Sequence, residues 1–326
     1  MMIKLFLALA LMVPCLAVTQ DALGQTRITR PIRLIVPYVP GGGTDSLSRF
    51  VAPWISDEFG QQVVIDNRAG GSSTIGTNIV ARATPDGHTI GMIDAAFLIN
   101  PSLFPKMPYD ALKDFVPLAF VATAPLVLMV HPSVPAKSVK ELIALAKSQP
   151  GKLNFGSAGN GSAVHLAGEQ LRAAAGIDLL HVPYKGTGQS IADLVGGQLN
   201  MIFSTQSVSK PLHTAGRTRA LAITSPKRTN VMPDLPTFVE SGLPSVDSAT
   251  INGLLAPAAT PKDYVQRVNA AVQRALKSRE LQDRLTELGF EIAGGSPEDF
   301  AQWIRGEIPK WAKVVKAANV RIESGP

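Results

Sequence analysis

Residues 31–45 read PIRLIVPYVPGGGTD, and this segment gives the clearest indication of the fold class. Ile32–Val36 is a continuous apolar run rich in β-branched residues, which is typical of a buried strand in a parallel sheet. Gly41–Gly43 follow as a turn. The next apolar residues recur at helical spacing: Leu47, Phe50, Val51, Trp54 and Ile55. A strand, a glycine turn and a helix in this order indicate an α/β fold.

The same arrangement recurs in the second half of the chain. Leu153–Phe155 predicts a short strand, residues 156–162 form a Gly/Ser-rich turn, and His165–Ala174 predicts a helix. Further strands are predicted at Val63–Ile65, Thr89–Ile93, Val116–Val121, Leu126–Val130, Leu179–Val182, Leu199–Phe203 and Ala220–Thr224. Further helices are predicted at Ile75–Ala83, from Val139 to Ala146, and near the end of the chain. The sequence therefore predicts an α/β protein with two similar halves.

Length and composition narrow the function classes. A chain of 326 residues exceeds the size at which one hydrophobic core stops growing, so two domains or lobes are expected. Hydrophobic residues make up 45% and charged residues 17%, which excludes an intrinsically disordered chain. The net charge is +6, but the basic residues are scattered, which argues against a nucleic-acid surface. A mild attraction for small anions is all that this charge supports.

The first residues are typical of a secretory signal peptide. Lys4 precedes an apolar run from Leu5 to Val18, and small residues stand at Ala22 and Gly24. We predict that residues 1–24 are removed after Gly24 and that the mature protein is periplasmic. An uncleaved anchor and a lipid attached to Cys15 are the alternatives. Because Cys15 is the only cysteine, the mature chain is expected to have no disulfide and no thiolate metal site.

Three glycine- or serine-rich turns precede predicted helices, at residues 41–45, 70–73 and 157–162. Helix starts expose unpaired N–H groups and the positive end of the helix dipole, and together these bind anions. Each turn has a simpler interpretation, in which Thr44 or Ser162 only caps a helix and Asp45 only complements the dipole. Three such turns in two similar halves favour an anion site.

Catalytic and cofactor motifs are sparse. The chain has no Gly-x-Ser-x-Gly elbow, no complete dinucleotide fingerprint and no P-loop. Ser162 and His165 are three residues apart and could imitate a nucleophile and its base, so a small-ester hydrolase stays an alternative. The five histidines are dispersed. We therefore expect no metal, no cofactor and no enzymatic activity.

From Pro31 to about Val320 the chain resembles the Bug family, the extracytoplasmic solute receptors of tripartite tricarboxylate transporters. The resemblance is carried, in order, by Pro31–Asp45, Val63–Gly71, Thr84–Thr89, Asn100-Pro101, Pro108-Tyr109-Asp110, Gly156–His165, His181–Gly186, Arg219–Thr224 and Leu235-Pro236-Thr237. Each stretch alone is weakly specific, whereas the ordered set covers essentially the whole mature chain.

The resemblance implies a two-lobed periplasmic-binding-protein fold of type II-like form. Two pseudo-symmetric α/β lobes would be joined by two crossover segments, with the ligand cleft between them. By this analogy lobe 1 is residues 25–122 plus 249–326, and lobe 2 is residues 123–248. The ligand carboxylate would be held by Gly41, Gly42, Gly43, Thr44, Asp45, Ser72, Ser73, Ser157, Ala158, Gly159, Gly161, Ser162 and His165.

The function implied is capture of a small organic anion by lobe closure, without chemistry, and its transfer to membrane permease subunits. A monomer is expected. A ligand-sensing subunit of a signalling system would have the same fold and site, so it stays an alternative.

Three positions depart from the family pattern. Ser204 stands where similar receptors often carry an aspartate, and Ile251 stands where they usually have a tryptophan. Asp94 ends the third strand, where similar receptors tend to have small residues. We hypothesise that the acidic group facing the distal part of the ligand has moved from position 204 to Asp94, which would pair with a cationic or hydrogen-bond-donating substituent. The alternative is that Asp94 is a solvated loop or cap residue.

Overall fold

The structure is a computed structural model and describes residues 26–41, 43–184, 186–317 and 320. The predicted signal peptide and its cleavage site after Gly24 lie outside the described residues, as does Gly42. The described strands are β1 (Ile32–Val36), β2 (Val63–Asn67), β3 (Thr89–Ile93), β4 (Phe115–Val130), β5 (Asn154–Ser157), β6 (Leu180–Pro183), β7 (Met201–Thr205), β8 (Arg219–Ile223), β9 (Ala249–Pro257) and β10 (Glu291–Ile292). The described helices are α1 (Gly43–Phe59), α2 (Thr74–Ala81), α3 (Ala95–Leu103), α4 (Val139–Ser148), α5 (Ala163–Ala175), α6 (Thr187–Val195), α7 (Gln206–Thr214), α8 (Lys262–Lys277), α9 (Arg279–Glu287) and α10 (Pro297–Ala317).

The strands form two sheets that share β4. In the first sheet β1 lies between β2 and β3 in parallel, and β9 and the first part of β4 continue the sheet antiparallel, with β10 on β4. In the second sheet β5 is parallel to β6 and β7, and the last part of β4 lies antiparallel between β7 and β8. Each sheet thus places the carboxyl ends of parallel strands, with the turns that follow them, at one edge.

The strand β4 differs from the sequence prediction, which had two strands separated by Pro125. The structure has one continuous strand whose partners change: residues 115–125 pair with β9, and residues 126–130 pair with β7 and β8. Proline is tolerated here because the ladder with β9 ends at the pair Pro125–Ala249. The next N–H, that of Leu126, donates instead to the Thr224 hydroxyl at 2.8 Å.

Several elements were not predicted, and β9 and α3 are the longest strand and the most buried helix among them. The strand β9 carries Gly253, at which any Cβ would lie 2.2 Å from the ring of Phe300, so a packing contact explains this glycine within a strand. The helix α3 contains Pro101 and is buried on all sides along most of its length, so it shows no amphipathic period. It packs in a continuous apolar core with residues of both sheets, of α5 and of α10; Phe97, Phe155 and Phe300 are each at most 1% exposed.

Candidate functional site

Two of the three turns predicted from sequence are in contact, and the third follows a strand that neighbours one of theirs in parallel. The 41–45 and 70–73 turns follow β1 and β2 of the first sheet, and the 157–162 turn follows β5 of the second. The hydroxyl of Ser72 donates to the carbonyl oxygen of Asn160 at 3.2 Å, which joins turns from the two sheets directly. The cleft between the sheets is therefore closed over this point.

The glycine turn is held by the Asp45 carboxylate, which is 2% exposed. This carboxylate accepts hydrogen bonds from the Gly41 N–H at 3.0 Å, from the Asn67 amide at 3.0 Å and from two Arg49 nitrogens at 2.9 and 3.0 Å. Burial alone raises the pKa of Asp45, but these hydrogen bonds outweigh burial and the pKa is lowered. Asp45 thus stays ionised and fixes the turn, while Gly43 and Thr44 begin α1 with unpaired N–H groups.

The second turn has an unusual backbone. Gly70, Gly71, Ser72 and Ser73 have φ values of 124°, 56°, 51° and 73°, so two serines adopt the left-handed region in succession. Such residues cost about 1 kcal/mol each and persist only where the surroundings impose them. Asn100 on α3 contributes, because its amide donates to the Ser72 carbonyl at 2.7 Å. The N–H groups of Ser72 and Ser73 have no acceptor within the described part of the chain.

The third turn is ordered by its own side chains. The Ser157 hydroxyl accepts from the Gly159 N–H at 3.1 Å, and Nδ1 of His165 accepts from the Gly161 N–H at 3.1 Å. Ser162 caps α5 by accepting from the His165 N–H at 3.3 Å. Ala158, by contrast, has an N–H group without an acceptor among the described residues.

The buried His165 and the partly buried His181 support this turn. The rings of His165 and His181 stack with 4.0 Å between centroids, and Nε2 of His181 lies 2.7 Å from the Ser157 hydroxyl. Burial lowers the pKa of His165 to about 3 and that of His181 to about 4. Because Nδ1 of His165 accepts a hydrogen bond, its ring is neutral and carries the proton on Nε2, which faces Glu169 at 3.8 Å.

Asp94 and Ser204 occupy different sheets. Asp94 caps α3 by accepting from the Ala96 N–H at 3.1 Å, and its other oxygen accepts from the Tyr38 hydroxyl. Burial raises the pKa of Asp94 to about 6. Ser204 is 2% exposed on β7 opposite Val127, and its side chain makes no hydrogen bond with the described residues.

The Ser162–His165 pair has no hydrolase geometry. The Ser162 hydroxyl donates to the carbonyl oxygen of Gly159 at 2.7 Å, not to the imidazole. Nδ1 of His165 is occupied by the Gly161 N–H, as described above. A nucleophile needs its hydroxyl in hydrogen-bond reach of the base, which this arrangement does not provide.

The described ranges contain neither a metal-binding cluster nor a membrane-spanning helix. No three His, Cys, Asp or Glu side chains of residues 26–317, apart from the gaps at 42 and 185, are grouped so that they could hold a metal ion. None of the described helices has the length and apolarity needed to cross a membrane.

Sequence reasoning missed the residues that brace the turns. Asn67, Asn100 and His181 all lie in stretches that carried the family resemblance, yet none was assigned a role. Their partners are Asp45, the Ser72 carbonyl and the Ser157 hydroxyl. The sequence signal that could have identified such a residue is a polar side chain at the end of a predicted strand, as at Asn67.

Taken together, the closed arrangement of turns on two sheets defines a two-lobed solute-binding protein. Comparison with known proteins agrees: the family described as tripartite tricarboxylate transporter family receptor (TctC) matches residues 47–320. The chain belongs to this family of solute-binding receptors, which confirms the predicted family and the two-lobed α/β fold.

Individual relatives extend this match along the chain. A UPF0065 protein in the tcbD-tcbE intergenic region of Pseudomonas sp. (strain P51) is 38% identical over 88% of this chain and 86% of its own length. Protein BugT of Bordetella pertussis is 32% identical over 99% of both chains.

Solved structures show the same fold. R. palustris Rpa4515 with adipate has a TM-score of 0.85 and 36% identity, covering 90% of this chain and 99% of its own. The periplasmic binding protein BugD has a TM-score of 0.83 and 34% identity, with coverages of 90% and 99%. MatC (Rpa3494) from Rhodopseudomonas palustris with bound malate has a TM-score of 0.80 and 33% identity, with coverages of 88% and 99%.

Proposed function

We propose that this protein is a periplasmic receptor that captures a small carboxylated solute for a tripartite tricarboxylate-type transporter. The observation that carries the proposal is the closed contact between Ser72 and Asn160, which gathers N–H groups from both sheets in one cleft. Relatives solved with adipate and malate support a carboxylate as the ligand class.

The proposed lobes are residues 25–122 plus 249–326 and residues 123–248. The pairing of the strands supports these limits, because β4 changes partners after Pro125 and β9 begins at Ala249. Two backbone crossings at these points would act as the hinge. Opening there would separate the 157–162 turn from the two turns of lobe 1 and admit solvent and ligand.

The carboxylate is proposed to lie among the turn residues named from sequence. Unpaired N–H groups supply the donors, and those of Thr44, Ser72, Ser73 and Ala158 are the strongest candidates. The N–H groups of Gly41, Gly159 and Gly161 already have acceptors within the described chain, so these glycines would shape the turns. Charge-assisted hydrogen bonds of about 1.5–3 kcal/mol each allow a few such donors to give micromolar affinity.

No chemistry is proposed at this site, and no cofactor. Captured solute would pass to membrane permease subunits, with the receptor acting as a monomer. Export by residues 1–24 and cleavage after Gly24 belong to the same proposal; the relative BugD is a periplasmic binding protein.

The experiment uses protein exported by its own leader and purified from the periplasm. Its intact mass reports the cleavage site, and its thermal transition is measured with mono-, di- and tricarboxylates, aromatic acids, and the amide of each. A ligand at about 100 times its dissociation constant stabilises the fold by about 2.7 kcal/mol. We expect stabilisation by one class of carboxylate and none by its amide. Equal responses to acid and amide would contradict an anion receptor.

A further inference from the structure

Asp94 belongs to the proposed lobe 1 and is linked to the second turn through Tyr38. It follows β3 and contacts Tyr38, which lies two residues after the end of β1 at Val36, and the Tyr38 hydroxyl in turn lies next to Ser73 of the second turn. One oxygen accepts from the Ala96 N–H and the other from the Tyr38 hydroxyl. Each carboxylate oxygen can accept two hydrogen bonds, so both retain capacity for a further donor, and the side chain is only partly buried.

This carboxylate has no cationic partner among the residues that the structure describes. Among the described residues no Lys, Arg or His nitrogen forms an ion pair with it, and the titratable side chains that face it are the hydroxyls of Tyr38 and Tyr109. Two other carboxylates of the same lobe do have such partners: the buried Asp45 pairs with Arg49, and the partly buried Glu58 pairs with Arg267 and Arg274. Burial raises the pKa of Asp94 to about 6, which still leaves it mostly ionised at neutral pH.

An ionised group at this position conflicts with a simple anion as ligand. The neighbouring N–H groups of Ser72 and Ser73 suit a carboxylate, whereas Asp94 repels one. A ligand that carries its own hydrogen-bond donor resolves the conflict, because a donor placed against Asp94 supplies the partner that the fold leaves out.

We propose that the solute bears, besides its carboxylate, a hydrogen-bond-donating group, either an ammonium or a hydroxyl, that is recognised by Asp94. This inference rests on the proposed function and names the substrate class within it. Asp94 is thus a specificity residue that prefers an amino or hydroxy acid over the unsubstituted acid of the same skeleton.

The test compares matched ligands by titration calorimetry on the exported protein at pH 7.5. Three sets are used: propanoate, lactate and alanine; succinate, malate and aspartate; phenylpropanoate, phenyllactate and phenylalanine. We expect the hydroxy or amino acid of at least one set to bind about tenfold tighter than the unsubstituted acid, the scale of one hydrogen bond to a charged group. The affinities of the amino acid and the hydroxy acid within one set show whether the donor is an ammonium or a hydroxyl group.

The variants D94N and D94A provide the second half of the test. Both are expected to reduce the preference to less than about threefold, because they remove the charge that selects the donor. Asp110→Asn is the matched control, since Asp110 is exposed and lies outside the three turns. It should leave the preference intact. If all variants keep the thermal transition of the wild type, misfolding is excluded as the cause of a reduced preference.

Three results would overturn the inference. The unsubstituted acid could bind as tightly as its substituted partners, or the preference could survive in D94N. Succinate could also bind more tightly as the pH falls through about 6, while malate and aspartate bind no more tightly than succinate. This would mean that a proton, and not a donor on the ligand, neutralises Asp94. In all three cases the carboxylate receptor stands. Absence of binding by every acid, with normal folding, would remove the proposed function as well.

Discussion

The hydroxyl oxygen of Ser72 lies 3.2 Å from the carbonyl oxygen of Asn160, so a turn of the first sheet donates a hydrogen bond to a turn of the second. Close behind it, Gly161 packs against Leu103, where an added Cβ would come within 2.2 Å of the leucine Cδ1. The closed cleft thus depends on a position that accepts no side chain.

Gly161→Ala should hold the lobes apart. A methyl group at this position meets Leu103 in the closed form, and φ of +78° adds backbone strain of about 1 kcal/mol. We expect weaker binding of the best carboxylate and a larger radius of gyration in its presence, measured by small-angle X-ray scattering. Gly176→Ala is the matched control, because φ is +59° there and nothing lies within 4 Å. If both variants close normally on ligand, the Leu103 contact does not govern closure.

Asp45→Ala should loosen the glycine turn. The change removes the acceptor used by Gly41, Arg49 and Asn67 and leaves the Gly41 N–H and the Asn67 amide without it. We expect a loss of about 2–4 kcal/mol in the free energy of unfolding in urea, together with weaker anion binding. Asp57→Ala, an exposed position on the same helix, should change stability by less than about 0.5 kcal/mol. Similar values for the two variants would show that Asp45 does not brace the turn.

The two stacked histidines should make stability depend on pH. Their folded-state pKa values, about 3 for His165 and about 4 for His181, lie below the unfolded value of about 6.5. As the pH falls, the unfolded chain therefore takes up protons on these histidines before the folded protein does. The stability that the neutral histidines contribute is complete above pH 6.5 and is lost as the pH falls toward 4. Asp94 acts with opposite sign, because its raised pKa favours folding at low pH.

A variant isolates the histidine contribution. His181→Phe keeps a ring against Phe155 and His165 but removes one titrating group. The free energy of unfolding, measured in urea between pH 7.5 and 4.5, should fall less steeply in this variant than in the wild type. An unchanged slope would mean that His181 does not titrate differently in the folded and unfolded chains.

Ser162→Ala tests the role of the residue that imitates a nucleophile. Ser162 caps α5 and donates to Gly159, so we expect a loss of about 1 kcal/mol in stability. Hydrolysis of small model esters by the wild type should not exceed the background rate, and the variant should match it. Turnover above background that disappears in Ser162→Ala would instead favour a hydrolase.

Much of the fold was predictable because its strands are short and apolar, and because several of them, such as β1, β2 and β5, are followed by glycine-containing turns. The strands β1 and β3 were predicted with the bounds that the structure has, and β2, β5 and β7 within a few residues. The periodicity of apolar residues failed to predict α3, because this helix is buried on all sides along most of its length. It also failed to predict β9, where Gly253 is required by its packing against Phe300. Pro125 suggested a break between two strands because a proline cannot donate a hydrogen bond to a sheet ladder. The sequence alone does not reveal that the ladder between β4 and β9 ends at Pro125.

The candidate site was predictable at the level of turns and much less at the level of atoms. Glycine and serine content marks where a backbone can bind an anion, but it does not tell which N–H groups are already used. Gly41 and Gly161 have acceptors in Asp45 and His165, whereas Ser72 is held in a left-handed conformation that its sequence does not suggest. Such bonds depend on how distant segments meet, as Asn100 meets Ser72.

A crystal structure with the carboxylate that gives the largest thermal shift would show whether turns of both lobes bind the ligand. We predict that the carboxylate oxygens lie within hydrogen-bond distance of N–H groups from lobe 1, at residues 41–45 or 72–73, and from lobe 2, at residues 157–162, with Ser72 and Asn160 still in contact. A carboxylate bound to one lobe alone, or outside the cleft, would contradict the account.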